Sequence, residues 1–147
     1  MADQMPDDTT GDLLPLVVVD AANVVGSVPD GWWKNRRAAA ERLRDSLAAL
    51  GETGLPTTSG APPWAVGHRV EVLLVVEGAA RGVESIPGVR VISAKASGDD
   101  EMVEVVTNIL ATTPNRPCLV VTADRGLRTR VTALGAEVIG PRSVRPR

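Results

Sequence analysis

Short runs of apolar residues, rich in Val, recur along the chain and alternate with stretches whose apolar residues return every three or four positions. Residues 16–19, 69–76, 89–92, 118–122 and 136–139 read as strands, because β-branched side chains suit a pleated, buried surface. Helical spacing follows Asp30, a candidate cap, through Trp33, Ala40, Leu43, Leu47 and Leu50, with Gly51 as the stop. A second helix is expected over residues 99–110, with Met102, Val106 and Ile109 on one face and Val103 and Leu110 beside them. A third runs over residues 125–134, turning Leu127, Val131 and Leu134 inward before Gly135. Residues 21–29 read as a loop, and residues 78–83 as a short turn or helix. Residues 52–67, rich in Gly, Pro, Thr and Ser, read as a long surface loop. Strands alternating with helices predict an α/β fold with right-handed crossovers, a mostly parallel sheet and helices on both faces. One domain over residues 13–140 is expected, between a flexible acidic leader (1–12) and a basic tail (141–147).

Composition narrows the picture. With no Phe or Tyr among 147 residues, the core must be built from Val, Leu, Ile and Ala. The lone Cys118 cannot form an internal disulfide, which points to a reducing compartment. No apolar stretch approaches the roughly 20 residues of a membrane span, and the acidic start lacks the basic segment of a secretory signal. A cytoplasmic protein without a membrane partner is the expectation. The net charge of −2 speaks against a nucleic-acid partner, but its distribution is uneven. From Arg116 onward the chain carries seven Arg against Asp124 and Glu137, and Arg is the better phosphate fork.

Acidic residues close several of the apolar runs. Asp20 ends the first, Asp124 follows the fourth, and Asp99, Asp100 and Glu101 open the helix after the third. Carboxyl ends of parallel strands share one edge of a sheet, and ligands bind there where the strand order reverses. Clustered carboxylates repel one another unless a hard divalent cation neutralises them. Each acid taken singly also has a plainer reading. Asp99 and Asp124 could cap helices, and Asp20 with Asn23 could organise a turn. Capping leaves Asp20 unexplained if a loop follows it.

Other chemistries lack their residues. Asp20-Ala21-Ala22-Asn23 stands where a dinucleotide-binding strand would carry its glycines, and no Gly-Lys-Ser/Thr phosphate loop occurs. An aspartyl-phosphate phosphatase needs a second Asp at the position of Ala22. The sole His68, read as a surface residue, rules out a His-rich zinc site and argues against a serine triad. Residues 101–104 (Glu-Met-Val-Glu) match half of the acidic motif of all-helical nucleotide pyrophosphohydrolases, whose fold the strands contradict.

Taken in order, the motifs resemble the NYN domains, a bacterial branch of the PIN-like ribonuclease superfamily. Residues 17–24 (Val-Val-Val-Asp-Ala-Ala-Asn-Val) resemble that family's opening motif, a strand ending in Asp with Asn three positions on. Residues 100–104 (Asp-Glu-Met-Val-Glu) are similar to its acidic helix start, and residues 121–125 (Val-Thr-Ala-Asp-Arg) to its third motif. The resemblance extends over nearly residues 14–142. It departs at Ala22, where the family often has an aromatic residue, and in the 52–67 loop, which has no counterpart. The resemblance implies a single-domain, PIN-like three-layer α/β/α fold with about five strands. It also implies Mg²⁺ or Mn²⁺ bound by Asp20, Asp100 and Asp124, with Asp99 or Glu101 contributing. Asp100 is favoured over Asp99 because Val103 and Glu104 then fall at the family's spacing. Asn23 and Thr122 would orient carboxylates or phosphate, and Lys95, Arg125 and Arg128 would contact phosphate. Trp33 is expected in the core, leaving Trp32 as the surface residue able to stack on a base.

The implied activity is metal-dependent hydrolysis of RNA phosphodiesters. The alternatives are a metal-dependent nucleoside-triphosphate pyrophosphohydrolase or phosphatase, and a non-catalytic module binding RNA or a protein. Expected partners are RNA, a second copy of the chain, and an antitoxin or a ribosome- or RNA-associated protein.

Overall fold

A computed structural model describes residues 13–144, so the 1–12 leader and residues 145–147 lie outside the described residues. The strands are β1 (Leu16–Asp20), β2 (Glu71–Val76), β3 (Val89–Ser93), β4 (Cys118–Val121) and β5 (Glu137–Ile139). All pair in parallel in one sheet of order β3-β2-β1-β4-β5. The helices are α1 (Ala21–Gly26), α2 (Arg36–Thr53), α3 (Gly98–Thr112) and α4 (Arg125–Ala133). The expected α/β/α architecture is therefore the observed one.

Strand alternation sorts the core into two layers. Val17, Val19, Val72, Leu74 and Val76 pack with Val24, Leu43 and Leu47 of α1 and α2. Leu16, Val18, Leu73, Val75 and Val120 pack with Met102, Val106, Leu127 and Val131 of α3 and α4. The chain moves outward from β1 to β2 and β3, then crosses back through α3 to β4 on the other side of β1. The strand order thus reverses between β1 and β4, and a crevice opens beyond their carboxyl ends.

Local readings are corrected at several points. Residues 21–29 are not all loop: residues 21–26 form α1, whose Ala21, Val24 and Val25 are buried at helical spacing beneath the Asp20 cap. Asp30 does not cap α2; Asn35 does, its side chain accepting from Ala38 N at 3.0 Å. Gly51 does not stop that helix but packs inside it, where a Cβ would press on Gly88 O and Val70 O at 3.3 and 3.4 Å. The stop is Gly54, at φ 79°. The two tryptophans differ from expectation in burial: Trp33 is 53% exposed, whereas Trp32 is partly buried against the core. Leu134, expected inward, is exposed because α4 ends before it.

The 52–67 segment is more ordered in its packing than a surface loop. Leu55 and Ala65 are buried, Leu55 bridges to Val66, and Trp64 Nε1 donates to Glu137 Oε2 at 3.0 Å. Residues 141–144, assigned to the tail, complete the domain instead, with Val144 buried in the core. Among the described residues no helix is long and apolar enough to cross a membrane.

Candidate functional site

The last residue of β1 starts the site. Asp20 ends the strand and caps α1, so its carboxylate is held from two sides. Oδ1 accepts from Asn23 N at 3.3 Å, and Oδ2 accepts from the Thr122 hydroxyl at 2.9 Å. Alternation places Asp20 and Thr122 on the same side of the sheet as Val18 and Val120, facing α3 and α4. The plain capping role is thus real for Asp20, contrary to the sequence reading. Capping uses one oxygen and leaves the other to the network.

Thr122 relays that network across the crevice. Its hydroxyl donates to Asp20 and accepts from Asp124 N at 3.1 Å. Asp124 caps α4, with Oδ1 accepting from Leu127 N at 2.9 Å. Asn23 closes the second link, its Oδ1 accepting from Ala123 N at 2.8 Å. That bond fixes the amide, and Nδ2 makes no hydrogen bond among the described residues. The strand ends of β1 and β4 are therefore stitched into one rigid lip.

The third and fourth carboxylates come from the other side of β1. Glu77 directly follows β2, and its Oε1 accepts from Gly98 N at 3.1 Å, at the start of α3. Ser97 caps α3, accepting from Asp100 N at 3.1 Å, so Asp99 is not the cap that the sequence suggested. Asp99 lies one position into the helix and is partly buried.

Electrostatics show which acids share a field. Burial, opposed by the bonds from Thr122 and Asn23, raises the Asp20 pKa from 3.8 to about 6, with Asp99 and Glu77 adding to the rise. Asp99 is also raised, first by burial and then by Asp124 and Glu77, with Arg130 opposing. Asp99 and Glu77 thus act on Asp20, while Asp124, Glu77 and, last, Asp100 act on Asp99. Asp100, favoured from the sequence, is the weakest of the charges raising Asp99 and is itself paired: its exposed carboxylate meets Arg130 Nη1 at 3.1 Å. Glu101 is not among the charges acting on Asp20 or Asp99.

Glu77 is the residue that sequence reasoning missed. It stands immediately after a Val-rich strand, as Asp20 does, and that position was its signal.

The cations divide in the same way. Arg125 is exposed at the first turn of α4, and Lys95 is exposed in the turn before α3. Arg128 is partly committed, since its Nε donates to Thr122 O at 2.8 Å and steadies the lip. Arg116 is not at this edge at all. Its Nη2 meets Glu71 Oε1 at 2.6 Å and its Nε donates to Leu14 O, at the opposite end of the sheet.

Among the described residues no group of three or more His, Cys, Asp or Glu side chains is placed to hold a metal ion. The donor chemistry nonetheless fits a hard cation. All four groups are carboxylates, two of them are held above their ordinary pKa, and Mg²⁺ needs only one or two protein carboxylates while keeping several waters.

Beside the lip, an open cavity of about 310 Å³ lies between α1, α2 and the turn after β2, with Trp32, Arg36 and Glu77 in its lining.

Neither a family profile nor a curated protein sequence matches the chain. Its architecture is similar to two crystal structures of Rae1 (YacP) from Bacillus subtilis. One matches with a TM-score of 0.63 at 18% identity, over 89% of this chain and 71% of that one. The other, a W164L mutant, gives 0.61 at 17% identity, over 89% and 72%. At such identities the likeness shows the fold alone, a single α/β domain built on a parallel sheet.

Proposed function

We propose that the chain is a Mg²⁺- or Mn²⁺-dependent phosphodiester hydrolase acting on RNA. The observation that carries this reading is the field shared by Asp20, Glu77, Asp99 and Asp124, gathered from four chain segments at the reversal of strand order. Structural capping accounts for Asp20 and Asp124 one by one. It does not account for a partly buried Asp99 facing both, at a cost in repulsion. A cation at this edge relieves that repulsion.

Asp20, Asp99 and Asp124 would hold the ion directly or through water, with Glu77 beside them. A bound divalent ion lowers the pKa of a coordinated water and neutralises charge developing on phosphate oxygens. The protein's own groups supply the rest. The Thr122 hydroxyl and Asn23 N hold the Asp20 carboxylate, Asn23 Nδ2 would donate to a phosphate oxygen, and Arg125 and Lys95 would offer cationic contacts. The motifs shared with NYN domains favour RNA over other phosphodiesters.

The test incubates the purified protein with labelled single-stranded RNA and with nucleoside triphosphates, in Mn²⁺ or in EDTA, beside Asp20→Asn and Asp124→Asn. RNA cleavage in Mn²⁺ that is lost in EDTA and in both variants is expected. Cleavage persisting in EDTA overturns the metal-dependent reading. Triphosphate turnover without RNA cleavage transfers the site to small phosphates, and salt-sensitive RNA binding without any turnover makes the chain a binding module.

A further inference from the structure

Apart from Glu77 the cavity beside the lip is lined by no carboxylate, and its lining suits a different portion of the substrate. Ala21, Val25, Ala40 and Ala80 form small apolar surfaces around it, and Trp32 adds a large aromatic one. Arg36 lies over the Trp32 ring, 5.2 Å from its centroid, so a cation and an aromatic plane already stack at the wall. At about 310 Å³ the cavity is at the small end of ligand pockets, roughly 300–1,000 Å³, and has room for one flat heterocycle rather than a polymer.

Two features tie the cavity to the acidic lip. Glu77 lines the cavity and also acts on Asp20 and Asp99. Ala21, in the lining, directly follows Asp20 in the chain. Exposed Lys34, Arg36 and Arg81 lie on the elements around it, a charge pattern that suits a polyanion passing its mouth.

We infer that this cavity takes one unpaired nucleobase of single-stranded RNA, seated on Trp32 and Arg36 next to the phosphodiester at the acidic lip. The inference rests on the proposed action on RNA and deepens it: a base inside a duplex cannot enter, so substrate choice falls on unpaired segments. Unstacked bases are commonly received on aromatic rings and guanidinium planes in this manner.

The experiment measures binding, not cleavage, so that it can fail separately from the nuclease reading. Fluorescence anisotropy in EDTA compares a short single-stranded RNA with an otherwise identical chain lacking its bases, and with the same RNA in a duplex. The acidic lip repels the intact and the base-free single strand alike, since both carry the same phosphates. The wild-type protein is expected to bind the intact single strand about tenfold more tightly than the base-free chain. Ala22→Leu, which fills the cavity from an exposed helical position, and Arg36→Gln, at an exposed site, are each expected to remove most of that difference. Thermal melts confirm that both variants fold. Equal binding of intact and base-free chains by the wild-type protein overturns the inference, even if RNA cleavage is found. A base-dependent difference that survives Ala22→Leu overturns the assignment to this cavity. Free nucleoside monophosphates competing as strongly as the RNA would overturn the single-strand part.

Discussion

Asp20 carries the one buried carboxylate among the described residues, and its burial sets a sign that can be tested. The unfolded chain releases this proton near the ordinary value of 3.8, whereas the folded protein keeps it to about 6. Between those values the native state binds more protons than the unfolded one, so stability falls as pH rises through the window. Above about pH 6 the ionised group costs the metal-free fold about 3 kcal/mol. Asp20→Asn removes that cost while keeping an acceptor for Asn23 N. In EDTA the variant is expected to exceed the wild type by at least about 1 kcal/mol at pH 8, with the gain gone by about pH 4. Urea unfolding at several pH values measures this, and parallel profiles for the two proteins would count against it. The same scale decides between the adjacent acids. Asp99 is partly buried and acts on Asp20, whereas Asp100 is exposed, does not act on Asp20 and is paired with Arg130. Asp99→Asn is therefore expected to cut kcat by about 100-fold or more, and Asp100→Asn by less than about threefold. Equal losses in a steady-state RNA assay would restore the register favoured by spacing. Spacing favours Asp100, because it does not show which of two adjacent helix positions is partly buried and which meets Arg130.

At the scale of elements, the connections carry most of what periodicity did not show. The strands and the long helices were legible because their apolar faces repeat. α1 was not: six residues with two adjacent Val and a Gly look like a loop until Asp20 is seen to cap them and Ala21, Val24 and Val25 to be buried together. Asn35 caps α2 although Asp30, before the tryptophans, is the more obvious candidate in the sequence. The end of α2 shows the physical cost of such a detail. Gly54 has φ 79°, and a Cβ there would collide with the backbone carbonyl of His68 and approach Ala65 O at 2.9 Å. Neither neighbour is a side chain that can swing away. Gly54→Ala is expected to destabilise the protein by about 2–4 kcal/mol, read as a lower denaturation midpoint. An exposed Gly60→Ala, also at positive φ but with open space around its Cβ, should cost less. Arg116 is a second such joint, tying Leu14 before β1 to Glu71 at the start of β2. Composition alone counted it with the phosphate-binding arginines. Its burial and its distance from the acidic edge remove it from that group.

The whole molecule is a parallel sheet whose two ends do different work. The amino ends of β1 and β2 are bound by Arg116 and Glu71, a pair that neutralises itself. The carboxyl ends of β1, β2 and β4 lead to carboxylates without a matching buried cation. A polyanion can approach that edge only if something positive lies there first. The flanking Arg125 and Lys95 are exposed and screened by salt, so they steer more than they neutralise. A divalent ion bound at the lip would act on the native state alone, because unfolding scatters Asp20, Asp99 and Asp124 along the chain. At a concentration one hundred times its dissociation constant such an ion stabilises by about 2.7 kcal/mol. For a domain of this size that corresponds to roughly 5–11 °C in Tm. Mn²⁺ is therefore expected to raise the wild-type melting temperature by an amount in this range, read by circular dichroism and reversed by EDTA. Asp20→Asn and Asp99→Asn should each lose most of the rise, whereas Asp100→Asn should keep it. The asymmetry among the variants matters more than the rise itself, since weak binding to scattered surface carboxylates would shift all of them together. A uniform shift would detach the cation from the reversal point of the sheet, and with it the reason for four acidic segments to meet there.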